Sequence, residues 1–195
     1  MLNLPFKKQF ILPPIIIIVL MLLLELNKPF SLEFLAFYPT QIVDGQLWRL
    51  ITGQLLHTNF NHMLLNTGGI VLIWALHGEY YSSKNYLLLM LSCLFLIGLG
   101  LLIFADYQHY AGMSAALHSF IIIGAAKDIQ HHDKTGWLLL IGVIIKVGYE
   151  NIYGASEQTK ALINANVAVE AHLIGVVVGL LVAVFLILTQ KRQLI

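Results

Sequence analysis

Residues 15–24 read Ile-Ile-Ile-Ile-Val-Leu-Met-Leu-Leu-Leu, a continuous apolar block within the run from Phe10 to Leu26. A helix needs about 20 apolar residues to cross a hydrocarbon core of about 30 Å, whereas the strand of a transmembrane barrel alternates apolar and polar residues. The block therefore predicts a membrane-spanning helix. No small-residue cleavage site follows it, so we expect a retained helix rather than a signal peptide.

The composition of the whole chain agrees with this block. Of its 195 residues, 58% are hydrophobic and 11% are charged, against about 25% charged in soluble domains, and the mean hydropathy is +0.81. A formal net charge of +1 offers no basic surface for nucleic acid. These values exclude an ordinary soluble domain and predict an all-α polytopic membrane protein surrounded by lipids.

Six apolar stretches are separated by polar breaks, with no repeat and no appended soluble domain, so we interpret residues 1–195 as a single domain. The predicted spans are 10–26, 60–76, 86–104, 114–126, 137–149 and 167–188. The fourth and fifth are short for a bilayer. We expect neighbouring helices to shield the fourth span, with its start below the membrane surface.

Basic residues predict the orientation, because cytoplasmic segments are enriched in Lys and Arg. With the N-terminus inside, the inner segments hold Lys7, Lys8, Lys84, Lys127, Lys134, Lys191 and Arg192, and the outer ones hold Lys28, Arg49 and Lys160. Both termini are therefore predicted to be cytoplasmic. Lys146, near the outer end of the fifth span, is expected to snorkel toward the interface.

Three of the spans carry polar side chains, which are costly in lipid and are therefore candidates for function. His62 and Asn66 share one face of the second span, Ser114 opens the fourth, and His172 lies in the sixth. These three spans run from outside to inside, and the polar groups lie in their outer halves. They can meet at one level if the fourth helix begins below the surface.

This combination favours acyl transfer, because a serine becomes a good nucleophile when a histidine removes its proton. The aspartates at positions 44, 106, 128 and 133 all lie in predicted loops, so no Ser-His-Asp triad is available and a dyad of Ser114 and His172 remains. Donors for the oxyanion could be His62, Asn66 and the backbone N–H of Ser114. Gly112 lets the backbone turn just before the serine.

Most of these residues also have a structural interpretation. Ser114 could be a helix N-cap. His118, one turn after Ser114, could compete as the base, but side chains one turn apart are poorly aligned for proton transfer, so we favour packing behind the site. Glu170 could orient His172, yet positions two apart on a helix do not face each other. We favour a place at the membrane interface for Glu170, or a contact with Asn164 and Asn166.

Metal and cofactor chemistry has little support. The chain has no HExxH motif, and we interpret His131, His132, Asp128 and Asp133 as a solvated loop cluster rather than a zinc site. We expect no metal and no organic cofactor. Gly175 and Gly179 form a GxxxG pair, which predicts close helix packing that brings His172 toward Ser114.

Taken together, these motifs resemble those of the rhomboid family of intramembrane serine proteases, in the family's order. They are Trp48-Arg49 before the second span, His57-x4-His62-x3-Asn66 in that span, Gly112-x-Ser114 opening the fourth, and Ala171-His172-x2-Gly175-x3-Gly179 in the sixth. The resemblance implies a six-helix bundle in which Ser114 is the nucleophile and His172 the base. It further implies His62 and Asn66 as oxyanion partners, supporting roles for His57 and Gly112, and transmembrane protein substrates that enter laterally from the lipid.

Two positions depart from the common rhomboid pattern: Ala115 follows the serine where glycine is usual, and His118 stands where an aromatic often packs on the base. The motif Gly-x-Ser-x-x-Leu-His, from Gly112 to His118, and the compact length resemble the rhombosortase branch. This implies a protein of the bacterial inner membrane, with its site toward the outer face, that processes surface proteins carrying a C-terminal Gly-Gly tail signal by hydrolysis or by transfer.

The alternative is a catalytically silent rhomboid-like scaffold or a small transporter with a polar cavity. A silent scaffold typically lacks the serine or the base, and this chain has both Ser114 and His172. A transporter should show inverted repeats or helices broken at the midplane, and the sequence has neither. The sequence therefore favours the protease.

Overall fold

The computed structural model describes residues 4–192, and the regular structure in that range is helical. The helices are α1 Lys8–Leu26, α2 Phe30–Leu35, α3 Pro39–Val43, α4 Arg49–Thr52, α5 Phe60–His77, α6 Ser83–Phe104, α7 Ser114–Gln130, α8 Thr135–Tyr153, α9 Glu157–Ile163 and α10 Val169–Arg192. The predicted domain, 1–195, extends past the described residues at both ends. The side chains of Lys191 and Arg192, two of the predicted cytoplasmic basic residues, lie outside the described ones.

Each of the six predicted spans overlaps a long helix, and the helices at the fourth and fifth spans extend past the predicted bounds. At the fourth predicted span, α7 continues past 126 to Gln130. At the fifth, α8 runs from Thr135 to Tyr153, whereas the predicted span was 137–149. The apolar windows stopped at Lys127 and Glu150, but lysine and glutamate are good helix formers, so the helices continue through them. Glu150 therefore lies within helix α8.

Four of these helices are long and apolar enough to cross a membrane, namely α1, α6, α8 and α10. The chain is therefore a multi-pass helical membrane protein by length and composition. The two remaining long helices, α5 and α7, are those that carry the polar candidates His62, Asn66 and Ser114.

The connection between α1 and α5 is held by a buried arginine. Arg49, which is 3% exposed, donates from Nη1 to the carbonyl of Ala36 at 2.7 Å and from Nη2 to that of Glu33 at 2.8 Å. These carbonyls end the short helix α2, where no helical N–H reaches them. The guanidinium therefore ties α4 to α2. The Trp48 ring beside it is half exposed, and its Nε1 donates to the carbonyl of Phe34 at 3.1 Å.

Helices α7 and α10 pack backbone to backbone at the two glycines of the GxxxG pair. A Cβ built on Gly175 would lie 2.2 Å from the carbonyl oxygen of Ala115, and one on Gly179 would lie 2.8 Å from Cα of Ser119. The Ser119 hydroxyl donates to the carbonyl of Gly175 at 2.6 Å. The predicted close packing is confirmed, and it sets the distance between the two helices that carry Ser114 and His172.

The opposite end of α7 corrects one prediction. Asp128 was assigned to a solvated loop cluster, but it lies in the last turn of α7 and is 6% exposed. Its carboxylate accepts from the Tyr80 hydroxyl at 2.7 Å and contacts His77 Nε2 at 3.1 Å. The burial of a carboxylate is tolerated here because both of its oxygens are hydrogen-bonded. Asp128 therefore helps to join α7 to the C-terminal end of α5.

Candidate active site

Ser114 and His172 lie in direct contact between α7 and α10. Oγ of Ser114 is 3.0 Å from Nε2 of His172, within hydrogen-bond distance. His172 is 6% exposed, and Ser114 is half-buried. The N-cap of α7 is Met113 rather than Ser114, so helix capping does not account for the serine. Ser114 and His172 therefore meet at one site, as expected for polar groups at similar levels of two neighbouring spans.

The backbone before Ser114 has a conformation that requires glycine. Gly112 has φ +146°, a region that residues with a Cβ rarely adopt. A Cβ at this position would also lie 3.0 Å from Cε1 and 3.2 Å from Nε2 of His62. The Tyr110 hydroxyl donates to the Gly112 carbonyl at 2.8 Å and fixes the turn. Gly112 thus keeps open the space between His62 and Ser114.

His62 and Asn66 lie on the same wall of the site. Nδ1 of His62 contacts the hydroxyl of Thr58 at 3.1 Å and accepts from the backbone N–H of Thr58 at 3.4 Å. Nε2 of His62, which lies beside Gly112, therefore stays available to a group bound in the site. Asn66 is buried and donates from Nδ2 to the carbonyl of His62 at 3.1 Å. That bond fixes the amide of Asn66, which has a second N–H available. Both side chains line the cleft that contains Ser114 and His172.

His57 supports His62 from behind. The His57 side chain is fully buried, and its ring packs edge-on against that of His62, with ring centroids 5.0 Å apart and planes at 88°. Burial, together with the nearby His62, lowers the pKa of His57 to about 3. His57 is therefore a neutral ring that holds His62 by packing.

His118 is occupied on both of its ring nitrogens. Nδ1 lies 2.7 Å from the carbonyl oxygen of Ser114, and Nε2 lies 3.2 Å from Nζ of Lys146. A carbonyl only accepts and an ammonium only donates, so Nδ1 carries the proton and Nε2 accepts. The ring stacks on His172 with centroids 4.4 Å apart. His118 thus has no free nitrogen aimed at the Ser114 hydroxyl, which favours the packing interpretation.

Glu150 is the site residue that the sequence reasoning missed. Its Oε2 lies 3.0 Å from Nδ1 of His172 and 2.8 Å from Nζ of Lys146. The predicted fifth span ended one residue earlier, at 149, so Glu150 was not considered, and Lys146 was expected to snorkel toward the interface. One signal was present: Lys146 and Glu150 are four residues apart, which puts them on one helix face.

Glu170, the acidic residue that the sequence reasoning did weigh, has a different partner. It accepts a hydrogen bond from the hydroxyl of Tyr107, in the loop between α6 and α7. The ring of Tyr107 in turn stacks on Tyr110, with centroids 6.1 Å apart. Glu170 therefore ties this loop to the start of α10 and does not contact His172 in this arrangement.

The cleft beside Ser114 and His172 has a volume of about 150 Å³. Helix α9 lines part of the cleft. It is held by Thr58 Oγ1, which donates to the carbonyl of Ile163 at 2.7 Å, and by Asn59 Nδ2, which donates to that of Leu162 at 3.2 Å. Within residues 4–192, no three His, Cys, Asp or Glu side chains form a group that could hold a metal ion. The site is thus a small cleft lined by Ser114, His172 and residues of α9.

This chain is a helical membrane protein in which a serine and a histidine are in contact between two helices. That arrangement is typical of an intramembrane serine hydrolase. The family model described as Rhomboid domain matches residues 44–189. This chain belongs to the rhomboid family, whose members are intramembrane serine proteases that act on transmembrane substrates. It is also similar to a protein of Bacillus subtilis (strain 168) named "Putative rhomboid protease YdcA", with 24% identity over 164 residues, or 80% of this chain and 75% of the relative.

Proposed function

We propose that this chain is an intramembrane serine endopeptidase in which Ser114 is the nucleophile and His172 is the general base. The observation that carries the proposal is the 3.0 Å contact between Ser114 Oγ and His172 Nε2. That distance is within the reach that general-base catalysis requires. Membership of a family of serine proteases supports the same conclusion.

The chemistry follows from these atoms. Ser114 Oγ attacks the carbonyl carbon of the substrate peptide while its proton passes to Nε2 of His172. The oxyanion that forms is stabilised by His62, Asn66 and the backbone N–H of Ser114. When the tetrahedral intermediate collapses, the C–N bond of the peptide breaks and the proton on His172 goes to the leaving amine. The acyl group remains bound to Ser114 as the acyl enzyme. Water, or another nucleophile in the case of transfer, then releases the acyl group by the same route.

The substrate we propose is a membrane-anchored protein whose C-terminal tail signal carries Gly-Gly, as in the rhombosortase branch. Two observations support a small substrate residue. The cleft has only about 150 Å³ and is lined on one side by Thr159 and Ile163 of α9. Glycine also lowers helix propensity by about 1 kcal/mol per residue, which eases the unwinding that a helical substrate needs before Ser114 can reach its backbone.

We further propose that all six long helices cross the bacterial inner membrane, with both termini in the cytoplasm and the site toward the outer face. Helices α5 and α7, of 18 and 17 residues, are about 27 and 26 Å long at 1.5 Å per residue. Each is slightly shorter than a hydrocarbon core of about 30 Å. Such lengths fit a helix α7 whose start, at Ser114, lies below the outer surface.

The test is cleavage of a reporter with a Gly-Gly tail followed by a transmembrane helix, in membranes that contain the wild type, Ser114→Ala or His172→Ala. We expect the wild type to cleave the reporter and both variants to lose cleavage. Ser92→Ala and His132→Ala, at exposed positions away from the cleft, are the matched controls and should cleave normally. Cleavage that persists in either site variant would refute the dyad, and equal cleavage of a Leu-Leu tail would refute the substrate class.

A further inference from the structure

Glu150 approaches His172 on the side of the ring that faces away from Ser114. Nδ1 of His172 is 3.0 Å from Oε2 of Glu150, while Nε2 is 3.0 Å from Oγ of Ser114. The three groups come from three helices, α8, α10 and α7. The Glu150 side chain is only 17% exposed, so water competes little for the carboxylate.

The contact decides which nitrogen of His172 carries the proton. An ionised carboxylate has no hydrogen to donate, so a hydrogen bond to Glu150 requires a proton on Nδ1. Neutral His172 then has its lone pair on Nε2, directed at the Ser114 hydroxyl. This is the tautomer that can remove the proton from Ser114, and the other tautomer cannot.

Lys146 holds the carboxylate in this position. Its Nζ lies 2.8 Å from the same Oε2 and 3.2 Å from Nε2 of His118, which in turn stacks on His172. The ammonium therefore fixes both Glu150 and the ring behind His172. Glu170 cannot replace Glu150 as the acceptor for His172 in this arrangement, because its carboxylate is hydrogen-bonded to the hydroxyl of Tyr107.

We propose that Glu150 is a positioning residue for His172, so that the site is a Ser114–His172–Glu150 triad built across α7, α10 and α8. The inference rests on the proposed function and deepens it. During attack, the Ser114 proton moves to Nε2 of His172, and Nδ1 keeps its own proton, which continues to donate to Glu150. The carboxylate stays ionised throughout and stabilises the imidazolium that forms.

The first test is a comparison of Glu150→Gln with the wild type on the cleaved reporter. Where an aspartate plays this part in serine proteases, its replacement by the amide lowers kcat by about 10⁴. We expect Glu150→Gln to lower kcat at least about 100-fold with little change in KM, because Glu150 contacts His172 rather than the cleft. The matched control is Glu79→Gln, an exposed glutamate in the turn after α5. A kcat for Glu150→Gln close to that of the wild type would overturn the proposal.

A second test uses the unmutated site, so it holds even if the variants at position 150 fold poorly. The ¹⁵N NMR signals of labelled His172, assigned by comparison with His172→Asn, report which ring nitrogen carries the proton. We expect protonated Nδ1 and unprotonated Nε2. The opposite tautomer would overturn the proposal whatever the activity of the variants.

Chemical rescue separates positioning from a purely structural role. Glu150→Ala removes the carboxylate and leaves space in which formate can bind beside Nδ1 of His172. We expect formate to raise the kcat of Glu150→Ala without affecting Ser114→Ala, and an absence of rescue in folded protein would count against the proposal. An inactive wild type would refute the proposed function itself, whereas active wild type with equally active Glu150→Gln would refute only the triad.

Discussion

The packing of α7 against α10 predicts a specific effect of adding one methyl group at Gly175. The Cβ of an alanine there would lie 2.2 Å from the carbonyl oxygen of Ala115, whereas ordinary contact begins near 3.4 Å. The helices must therefore separate by about 1 Å, because neither backbone can give way locally. The distance from Ser114 Oγ to His172 Nε2, now 3.0 Å, would approach 4 Å and exceed hydrogen-bond range.

A misplacement of about 1 Å can cost about 100-fold in rate. We therefore expect Gly175→Ala to lower kcat by about that factor, although alanine is the better helix former. The assay is reporter cleavage in membranes, with thermal unfolding in detergent to show that the variant is folded. The matched control is Gly142→Ala on α8, where an added Cβ meets nothing within 4 Å. Gly175→Ala activity equal to that of Gly142→Ala would refute the link between this packing and the site.

Three further predictions concern the histidines around the site. His62→Ala should lower kcat by about 10²–10³ if it removes one oxyanion donor, while Ala at the exposed Asn61 should not. His118→Phe should keep most of the activity, because a phenyl ring can still stack on His172; complete loss would indicate that His118 takes the proton. Burial lowers the pKa of His57 to about 3 in the folded protein, whereas its pKa in the unfolded chain is about 6.5. Its contribution to stability is therefore complete above about pH 6.5 and is lost as the pH falls toward 3. Between pH 7 and 5 the loss should be about 2 kcal/mol, seen as a larger fall in Tm for the wild type than for His57→Gln.

The fold was predictable because lipid leaves few choices. Apolar runs of sufficient length must be helices, and each predicted span coincides with one. The polar residues at the ends of the apolar runs gave span bounds that are shorter than the helices. Lys127 and Glu150 ended the apolar windows, but α7 and α8 continue through them. A helix ends where its hydrogen bonds end, and hydropathy does not report that position.

The site was predictable to the extent that depth and spacing determine it. Residues in the outer halves of three spans, Ser114, His172 and His62, were expected at one level, and the structure brings them to one cleft. Their catalytic roles stay a proposal. Glu150 was missed because its partner His172 lies 22 positions away on another helix, and no spacing rule connects α8 to α10. The rotation of α8 about its axis, which packing determines, decides whether Glu150 faces the site.

The activation of Ser114 as a nucleophile by His172 can be tested without knowledge of the substrate. Purified protein in detergent is treated with a fluorophosphonate, which reacts with activated serines, and the modified residue is located by mass spectrometry. We expect an adduct on Ser114 that forms in the wild type and is lost in His172→Ala. An adduct on another serine, or labelling of Ser114 that does not depend on His172, would contradict these roles of Ser114 and His172.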